Sequence, residues 1–156
     1  MAIQHLRPFY KAFPEATVLT SNHGLRLFKK FRVSGLPTRV TKRYEEILEF
    51  PKNWFLVDQT EIDGVLSIHG DGFSRSSWKF AHERFRQPVV MGHTHSGAGI
   101  IYSWNKKRKF FTGNFGCLIN LNHIAFDYAR HVPERPTLGS GVVIDGVEAY
   151  FVPMIV

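Results

Sequence analysis

Apolar and polar positions change their spacing several times along the chain, which indicates helices followed by strands. Helices are predicted over residues 2–12, 25–32, 41–48 and 74–86. Pro14 closes the first helix, since proline disfavours helix at the residue before it. Thr41 is a suitable N-cap for the third. In the fourth, Trp78, Ala81 and Phe85 fall on one face by their three- and four-residue spacing.

The strand pattern is carried by β-branched and aromatic runs that end at glycine-containing turns. Strands are predicted at 16–20, on both sides of Asp63-Gly64 within 54–70, at 88–95, as a hairpin over 99–116, and as a final hairpin over 140–156 turning at Asp145-Gly146. Asp-Gly suits tight hairpin turns. Strands that first alternate with helices and then follow one another predict an α/β domain on a mixed sheet.

Composition narrows the class of protein. The 156 residues predict a single domain over 1–156. Cys117 is the one cysteine, which excludes an internal disulfide and a cysteine-based zinc site and favours a reducing, cytoplasmic setting. No apolar stretch suits a membrane span, and residues 1–16 lack the hydrophobic region of a signal peptide, so no membrane partner is expected. The net charge of +7 fits either a polyanionic partner such as nucleic acid or a solvated basic surface.

Three polar clusters each follow an apolar strand: "SNHG" at 21–24, "IHGDG" at 68–72 and "GHTH" at 92–95. In open α/β sheets, ligands bind beyond the carboxyl ends of the strands. The residues expected to converge there are Asn22, His23, His69, His93 and His95. Imidazoles with an amide oxygen suit Zn, Fe, Mn or Ni. A histidine at a strand end can also be structural, and His5, His82, His123 and His131 are interpreted as surface or structural residues.

The relation between the two histidines of "GHTH" depends on where the strand ends. Side chains alternate along a strand, so His93 and His95 point to the same side if the strand continues past Gly92. If the strand breaks at Gly92, the two imidazoles diverge.

"SNHG", the later histidine of "SIHG", and "GHTH" resemble the third, fourth and fifth motifs of calcineurin-like metallophosphoesterases. The ending "SGVVIDG…YFVP" is similar to phage-encoded members, and the resemblance runs from about Ala16 to the C-terminus. It implies a metallophosphoesterase-like α/β sandwich with mixed sheets. It also implies that Asn22, His69 and His93 bind a second metal and that His95 binds a first. His23 would be catalytic, stabilising the phosphoryl group or protonating the leaving oxygen.

The family's first two motifs, Asp-x-His and Gly-Asp-x-x-Asp, have no counterpart before Asn22, so the chain is expected to match the C-terminal portion of the family fold. One metal site would then be weak or absent in the isolated chain. Asp71 is a candidate replacement carboxylate, or else a turn residue. Ser21 stands where the family has glycine, which exchanges one small residue for another. Gly24 stands where the family has an acidic residue, so a carboxylate that could help to fix the loop of His23 is missing.

These expectations define two functions of different classes. The first is divalent-metal-dependent hydrolysis of phosphomono- or phosphodiesters, with nucleotide or nucleic-acid substrates favoured by the charge. A separately encoded N-terminal half, or a homo-oligomer formed across an exposed sheet edge, would complete that enzyme, in a bacterial host's cytoplasm if it is phage-encoded. The alternative is a catalytically inactive remnant that acts as a protein-interaction or nucleic-acid-binding protein.

Overall fold

The computed structural model describes residues 2–35, 37, 42–120 and 135–155. The chain divides into two compact units, Met1–Thr60 and Glu61–Val156. Helices and sheets of mixed strand orientation confirm the α/β class. Two compact units can belong to one domain if they do not fold independently, so the single domain over residues 1–156 stays a prediction. Within the described stretches, no helix has the length and apolar character needed to cross a bilayer.

The first unit combines short helices with a parallel strand pair. Its elements are α1 Ala2–Ala12, β1 Ala16–Leu19, α2 Arg26–Val33, α3 Tyr44–Ile47 and β2 Trp54–Val57. β1 and β2 run parallel, with Ala16 opposite Trp54 and Leu19 opposite Val57. The ring centroid of Tyr10 in α1 lies 4.7 Å from that of Trp54, in an edge-to-face contact. The indole nitrogen of Trp54 donates to the carbonyl of Phe13, 2.9 Å away, which holds the end of α1 against β2.

The second unit is built on a five-stranded mixed sheet. Its elements are β3 Gln59–Ile62, which begins at the unit boundary, β4 Val65–Ile68, a 3-10 turn Ser77–Phe80, α4 Ala81–Phe85, β5 Val89–Met91, β6 Gly99–Trp104, β7 Lys109–Asn114, β8 Gly139–Ile144 and β9 Glu148–Pro153. The sheet order is β3-β4-β5-β7-β6. β5 runs parallel to both β4 and β7, whereas β6 is antiparallel to β7. β8 and β9 pair as a separate antiparallel hairpin.

This sheet buries apolar side chains on both faces. Leu66 of β4 and Val89 of β5 pack into one cluster with Trp78 of the 3-10 turn, so the short helices cover that face. Their chain neighbours Val65 and Val90 point the opposite way, into a second cluster that includes residues of β8 and β9. Successive side chains of a strand alternate between faces, so β4 and β5 supply both cores.

Both predicted Asp-Gly turns are confirmed. Asp63 and Gly64 have φ of 51° and 73°, and Asp145 and Gly146 have φ of 52° and 69°. Two consecutive left-handed residues form the turn whose twist matches that of the flanking strands, and Asp-Gly is among the pairs that adopt it most readily.

Several predicted boundaries differ for local reasons. The helix predicted over 74–86 is a 3-10 turn followed by α4, because Ser74 and Ser77 bond to each other's backbone and side chains and so compete with helical bonding. The strand predicted before Asp63 is two strands, β2 and β3, joined by a bend at Asp58, since they belong to different sheets. The helix predicted over 41–48 occupies Tyr44–Ile47. Thr41, His123 and His131 lie outside the described residues.

Candidate metal centre

The site lies where two parallel strands of the second unit end side by side. Leu66 of β4 is opposite Val89 of β5, and Ser67 is opposite Val90, so both strands exit at the same edge of the sheet. Just beyond them, the backbone N–H of Gly92 donates to the carbonyl of His69 at 3.3 Å. The segments that follow β4 and β5 are therefore tied together, at the edge where parallel sheets bind ligands.

Three side chains from these two segments bring one donor atom each to a common point. Nε2 of His69 lies 3.2 Å from Nδ1 of His93. Oδ1 of Asp71 lies 3.6 Å from each of those nitrogens. Within the part of the chain that the structure describes, these are the residues that form a group able to hold a metal ion.

The dimensions of this triangle suit a small divalent cation. Ligand atoms that bind tetrahedral zinc at 2.0–2.1 Å lie about 3.4 Å from one another. The sides of 3.2, 3.6 and 3.6 Å place the three donor atoms on a circle of about 2.0 Å radius, close to a zinc–ligand bond length. Two imidazoles and one carboxylate are also a recurrent ligand set for zinc and iron.

Backbone conformations that favour glycine make this approach possible. Gly70 has a φ of +106°, and a Cβ there would lie 3.2 Å from the Cβ of His93. His93 itself has a φ of 67°. A left-handed conformation costs a residue with a side chain about 1–2 kcal/mol, and such strain is concentrated at functional sites. Part-buried hydrogen bonds made by the Asn114 side chain hold the loop in this conformation.

Asn114, at the end of β7, provides much of that support. Its side chain is fully buried. Nδ2 donates to Oγ1 of Thr94 at 2.6 Å, and Oδ1 accepts from the backbone N–H of Gly116 at 3.1 Å. The carbonyl of His95 accepts from the backbone N–H of Thr137 at 2.7 Å. Sequence patterns gave no indication of this role, because Asn114 ends a strand in which alternate residues appear simply apolar.

The predicted ligands of the second unit do not all converge. His69 and His93 come together, whereas His95 is not a member of the group with Asp71. β5 ends at Met91, before Gly92, so of the two alternatives for this pair the strand break is the one observed. His95 has a φ of 25° and its side chain is half-buried. Asp71, a candidate replacement carboxylate or turn residue in the sequence, is both: it lies in a turn and is a member of the group with His69 and His93.

Asn22 and His23 belong to the first unit, in the turn that follows β1. Oδ1 of Asn22 accepts the backbone N–H of His23 at 2.9 Å, and the imidazole of His23 is exposed. A Cβ on Gly24 would lie 3.0 Å from the hydroxyl oxygen of Tyr44 and 3.2 Å from Oγ of Ser21. A side chain at residue 24 would therefore crowd Tyr44 and Ser21, which suits glycine at this position.

Burial shifts the pKa of two other side chains, His82 and Cys117. His82 is buried, with Nδ1 2.8 Å from Oγ1 of Thr112 and Nε2 2.7 Å from Oγ of Ser103. Burial lowers the pKa of His82, and the nearby Glu83 carboxylate partly opposes that shift. Burial also disfavours the charged form of the Cys117 thiol, and it therefore raises the pKa of that group. The structural interpretation of His82 is therefore confirmed.

No protein-family model matches this chain, and a search of curated proteins finds no relative. The site is therefore interpreted from its own residues and geometry.

Proposed function

We propose that His69, Asp71 and His93 bind a divalent transition-metal ion. The observation that carries this proposal is the triangle of Nε2, Oδ1 and Nδ1 with sides of 3.6, 3.6 and 3.2 Å. Two imidazole nitrogens at 3.2 Å are satisfied by one shared proton or by a cation. The Asp71 carboxylate lies at equal distance from both and adds an oxygen donor to the group.

The charge of the donor set supports binding of a cation. The histidine and asparagine ligands implied by the resemblance are all neutral, so each divalent ion would keep its full charge at the protein. Asp71 changes this by contributing one negative charge directly to the donor set. A site with one carboxylate and two imidazoles leaves a net charge of one on a divalent ion, with further positions for water or substrate.

Metal affinity tests this part of the proposal. After treatment with a chelator, the protein is titrated calorimetrically with Zn²⁺, Mn²⁺ and Ni²⁺. Loss of an outer hydrogen-bond partner already weakens metal sites by 10–100-fold, so His69→Ala, Asp71→Asn and His93→Ala should each weaken binding by about 100-fold or more. His5→Ala, in α1, is the matched control and should bind like the wild type. Equal affinity in His93→Ala and the wild type would refute the site.

We further propose that this metal centre serves phosphoester hydrolysis. Support comes from the order of "SNHG", "SIHG" and "GHTH" along the chain, together with the meeting of His69 and His93 at the ends of adjacent parallel strands. When bound, a divalent cation supplies Lewis acidity, which polarises a phosphoryl group and makes water more acidic. The proposal includes a metallophosphoesterase-like α/β sandwich, a relationship to phage-encoded members of that family, and a phosphoester substrate.

Within the proposed enzyme, the protein residues have distinct tasks. His69, Asp71 and His93 would hold the ion. The resemblance also implies Asn22 and His95 as ligands, but His95 is not a member of this group. His23, whose side chain is exposed, would stabilise the phosphoryl group or donate a proton to the leaving oxygen.

Additional carboxylates would come from outside residues 1–156, from a longer chain or another polypeptide. Among the described strands, β1 pairs with β2 alone, and the strands that bear these carboxylates would pair along the other edge of β1. Alternatively, a homo-oligomer formed across that edge would complete the enzyme.

Turnover is tested separately from metal affinity. Hydrolysis of bis(p-nitrophenyl) phosphate and of p-nitrophenyl phosphate is measured with Mn²⁺, for residues 1–156 and together with the polypeptide encoded next to it. The expected result is activity that a chelator abolishes and that His23→Ala reduces by about 100-fold, the usual scale of general acid catalysis. A metal-loaded protein that hydrolyses neither ester in either form would refute the enzyme and favour the binding-protein alternative.

A further inference from the structure

A cavity of about 440 Å³ opens in the second unit between α4 and the β6–β7 hairpin. Its volume is within the range of small-molecule sites, about 300–1,000 Å³. None of its lining residues belongs to the His69–Asp71–His93 cluster. Whatever it binds is therefore recognised by a different set of side chains.

Cationic side chains dominate the charge of this cavity. Arg86, Lys107 and Arg108 line it, together with one carboxylate, that of Glu83. Arg108 is positioned in advance: its Nη2 donates to the carbonyl of Arg86 at 2.7 Å, and its guanidinium carbon lies 4.5 Å from the ring centroid of Phe110. A guanidinium has five N–H donors in a rigid plane, and this bond uses one of them. Such a group matches the oxygens of a phosphate.

An exposed aromatic ring borders the same cavity. Trp104, at the end of β6, lines it and has a relative exposure of 70%. Its ring centroid lies 5.9 Å from that of Tyr102, with the two planes tilted by 34°. A large indole left open to water beside cations is an arrangement on which a planar base can stack while its phosphate contacts the positive charge.

Uncharged polar groups also line the cavity. The His82 ring and the Ser103 hydroxyl both line it, and they are joined by a contact of 2.7 Å. A hydroxyl that shares one hydrogen bond keeps capacity for another, so Ser103 can accept or donate to a ligand that enters. The cavity thus combines a stacking surface, phosphate-binding cations and a hydrogen-bonding hydroxyl.

We propose that this cavity binds a nucleotide unit, with its base stacked on Trp104 and its phosphate held by Arg86, Lys107 and Arg108. The unit is either a free nucleotide or one residue of a single-stranded nucleic acid, since both present the same base and phosphate. The proposal is independent of the metal centre. Binding needs no metal and proceeds in the presence of a chelator.

The hairpin tip supplies a matched pair of variants. Lys107 lines the cavity and its chain neighbour Lys106 does not, although both carry the same charge. Binding is measured with EDTA present, using AMP in calorimetry and a fluorescein-labelled eight-residue oligothymidylate in anisotropy. Lys107→Gln should weaken binding about tenfold, as should Trp104→Leu because base stacking on an aromatic is worth this much. Lys106→Gln should change the affinity by less than about twofold, because it removes charge without a contact.

The outcomes separate the two ligand sources and identify failure. AMP binding that competes with the oligonucleotide assigns a free nucleotide site, whereas oligonucleotide binding without AMP binding assigns a unit of a strand. Equal weakening by Lys106→Gln and Lys107→Gln, or full affinity in Trp104→Leu, would mean attraction by charge alone and overturn the proposal. Absence of binding to both probes would do the same. His93→Ala should bind both probes normally, so failure here is distinct from failure of the metal centre.

Discussion

Replacing Thr112 by valine removes one hydroxyl from the buried contact between β7 and α4. Oγ1 of Thr112 lies 2.9 Å from the backbone nitrogen of His82 and 2.8 Å from its Nδ1. All these groups are satisfied when the backbone N–H donates to Oγ1, the hydroxyl donates to Nδ1, and Nε2–H donates to Ser103. Valine has nearly the same shape as threonine but can make neither of the first two bonds.

The cost follows from the groups left behind. Thr112 has a relative exposure of 0% and His82 of 3%, so water cannot replace the lost partner. A buried donor or acceptor without a partner costs about 1–3 kcal/mol, and two such groups remain in the variant. The free energy of unfolding should therefore fall by about 3 kcal/mol, allowing for some relaxation. Thr112→Ser keeps the hydroxyl and loses a methyl group, which costs about 1 kcal/mol.

Urea denaturation at pH 7.5 measures this difference. With a slope of about 2 kcal/mol per molar urea, the midpoint should fall by about 1.5 M in Thr112→Val and by about 0.5 M in Thr112→Ser. If the valine variant is as stable as the serine variant, the hydroxyl does not satisfy His82 and the assigned network is wrong.

Three further effects are expected. Burial lowers the pKa of His82, so the histidine of the unfolded chain binds a proton before that of the folded protein as the pH falls below about 6.5. In urea titrations, the stability of the wild type should therefore decrease from pH 7 to pH 5 more steeply than that of His82→Gln, by up to about 1.4 kcal/mol per pH unit. Gly70→Ala should weaken Zn²⁺ binding in calorimetry more than Gly72→Ala, because both residues have positive φ but only a Cβ at residue 70 would press on the Cβ of His93; equal weakening would show that close packing at residue 70 is irrelevant to the site. Gly146→Ala should lower the melting temperature more than Gly64→Ala, because both residues have positive φ but only a Cβ at 146 would overlap a carbonyl oxygen of the other hairpin turn.

Local chemistry explains which elements of the fold could be predicted. The two Asp-Gly turns are encoded by residues that tolerate positive φ, so Asp63-Gly64 and Asp145-Gly146 were recognisable without any tertiary information. The break at Asp58 was not, because β2 and β3 differ in their sheets rather than in their local propensity. Ser74 and Ser77 likewise disrupt the first turns of the predicted helix through side-chain bonds that periodicity alone does not reveal.

The candidate site was predictable to the extent that it follows from strand ends. His69 and His93 follow adjacent parallel strands, and strand order brings them together. Asp71 is two residues beyond His69, where the glycines on either side allow the chain to reverse, and its direction depends on positive φ at Gly70 and Gly72. The separation of His95 from the cluster depends on β5 ending at Met91, which the apolar run alone does not determine.

The second unit contains imidazoles in two opposite chemical settings, and their comparison is the physical argument for the proposed metal centre. Both ring nitrogens of His82 meet hydroxyl groups, which can donate or accept, so a neutral ring is satisfied without an ion. Nε2 of His69 and Nδ1 of His93 instead face each other, and a carboxylate oxygen faces both. One shared proton joins the two nitrogens but leaves the carboxylate 3.6 Å from each, beyond a strong hydrogen bond. A divalent cation can contact all three atoms at once, so the arrangement is better matched to a metal ion than to the proton that could replace it.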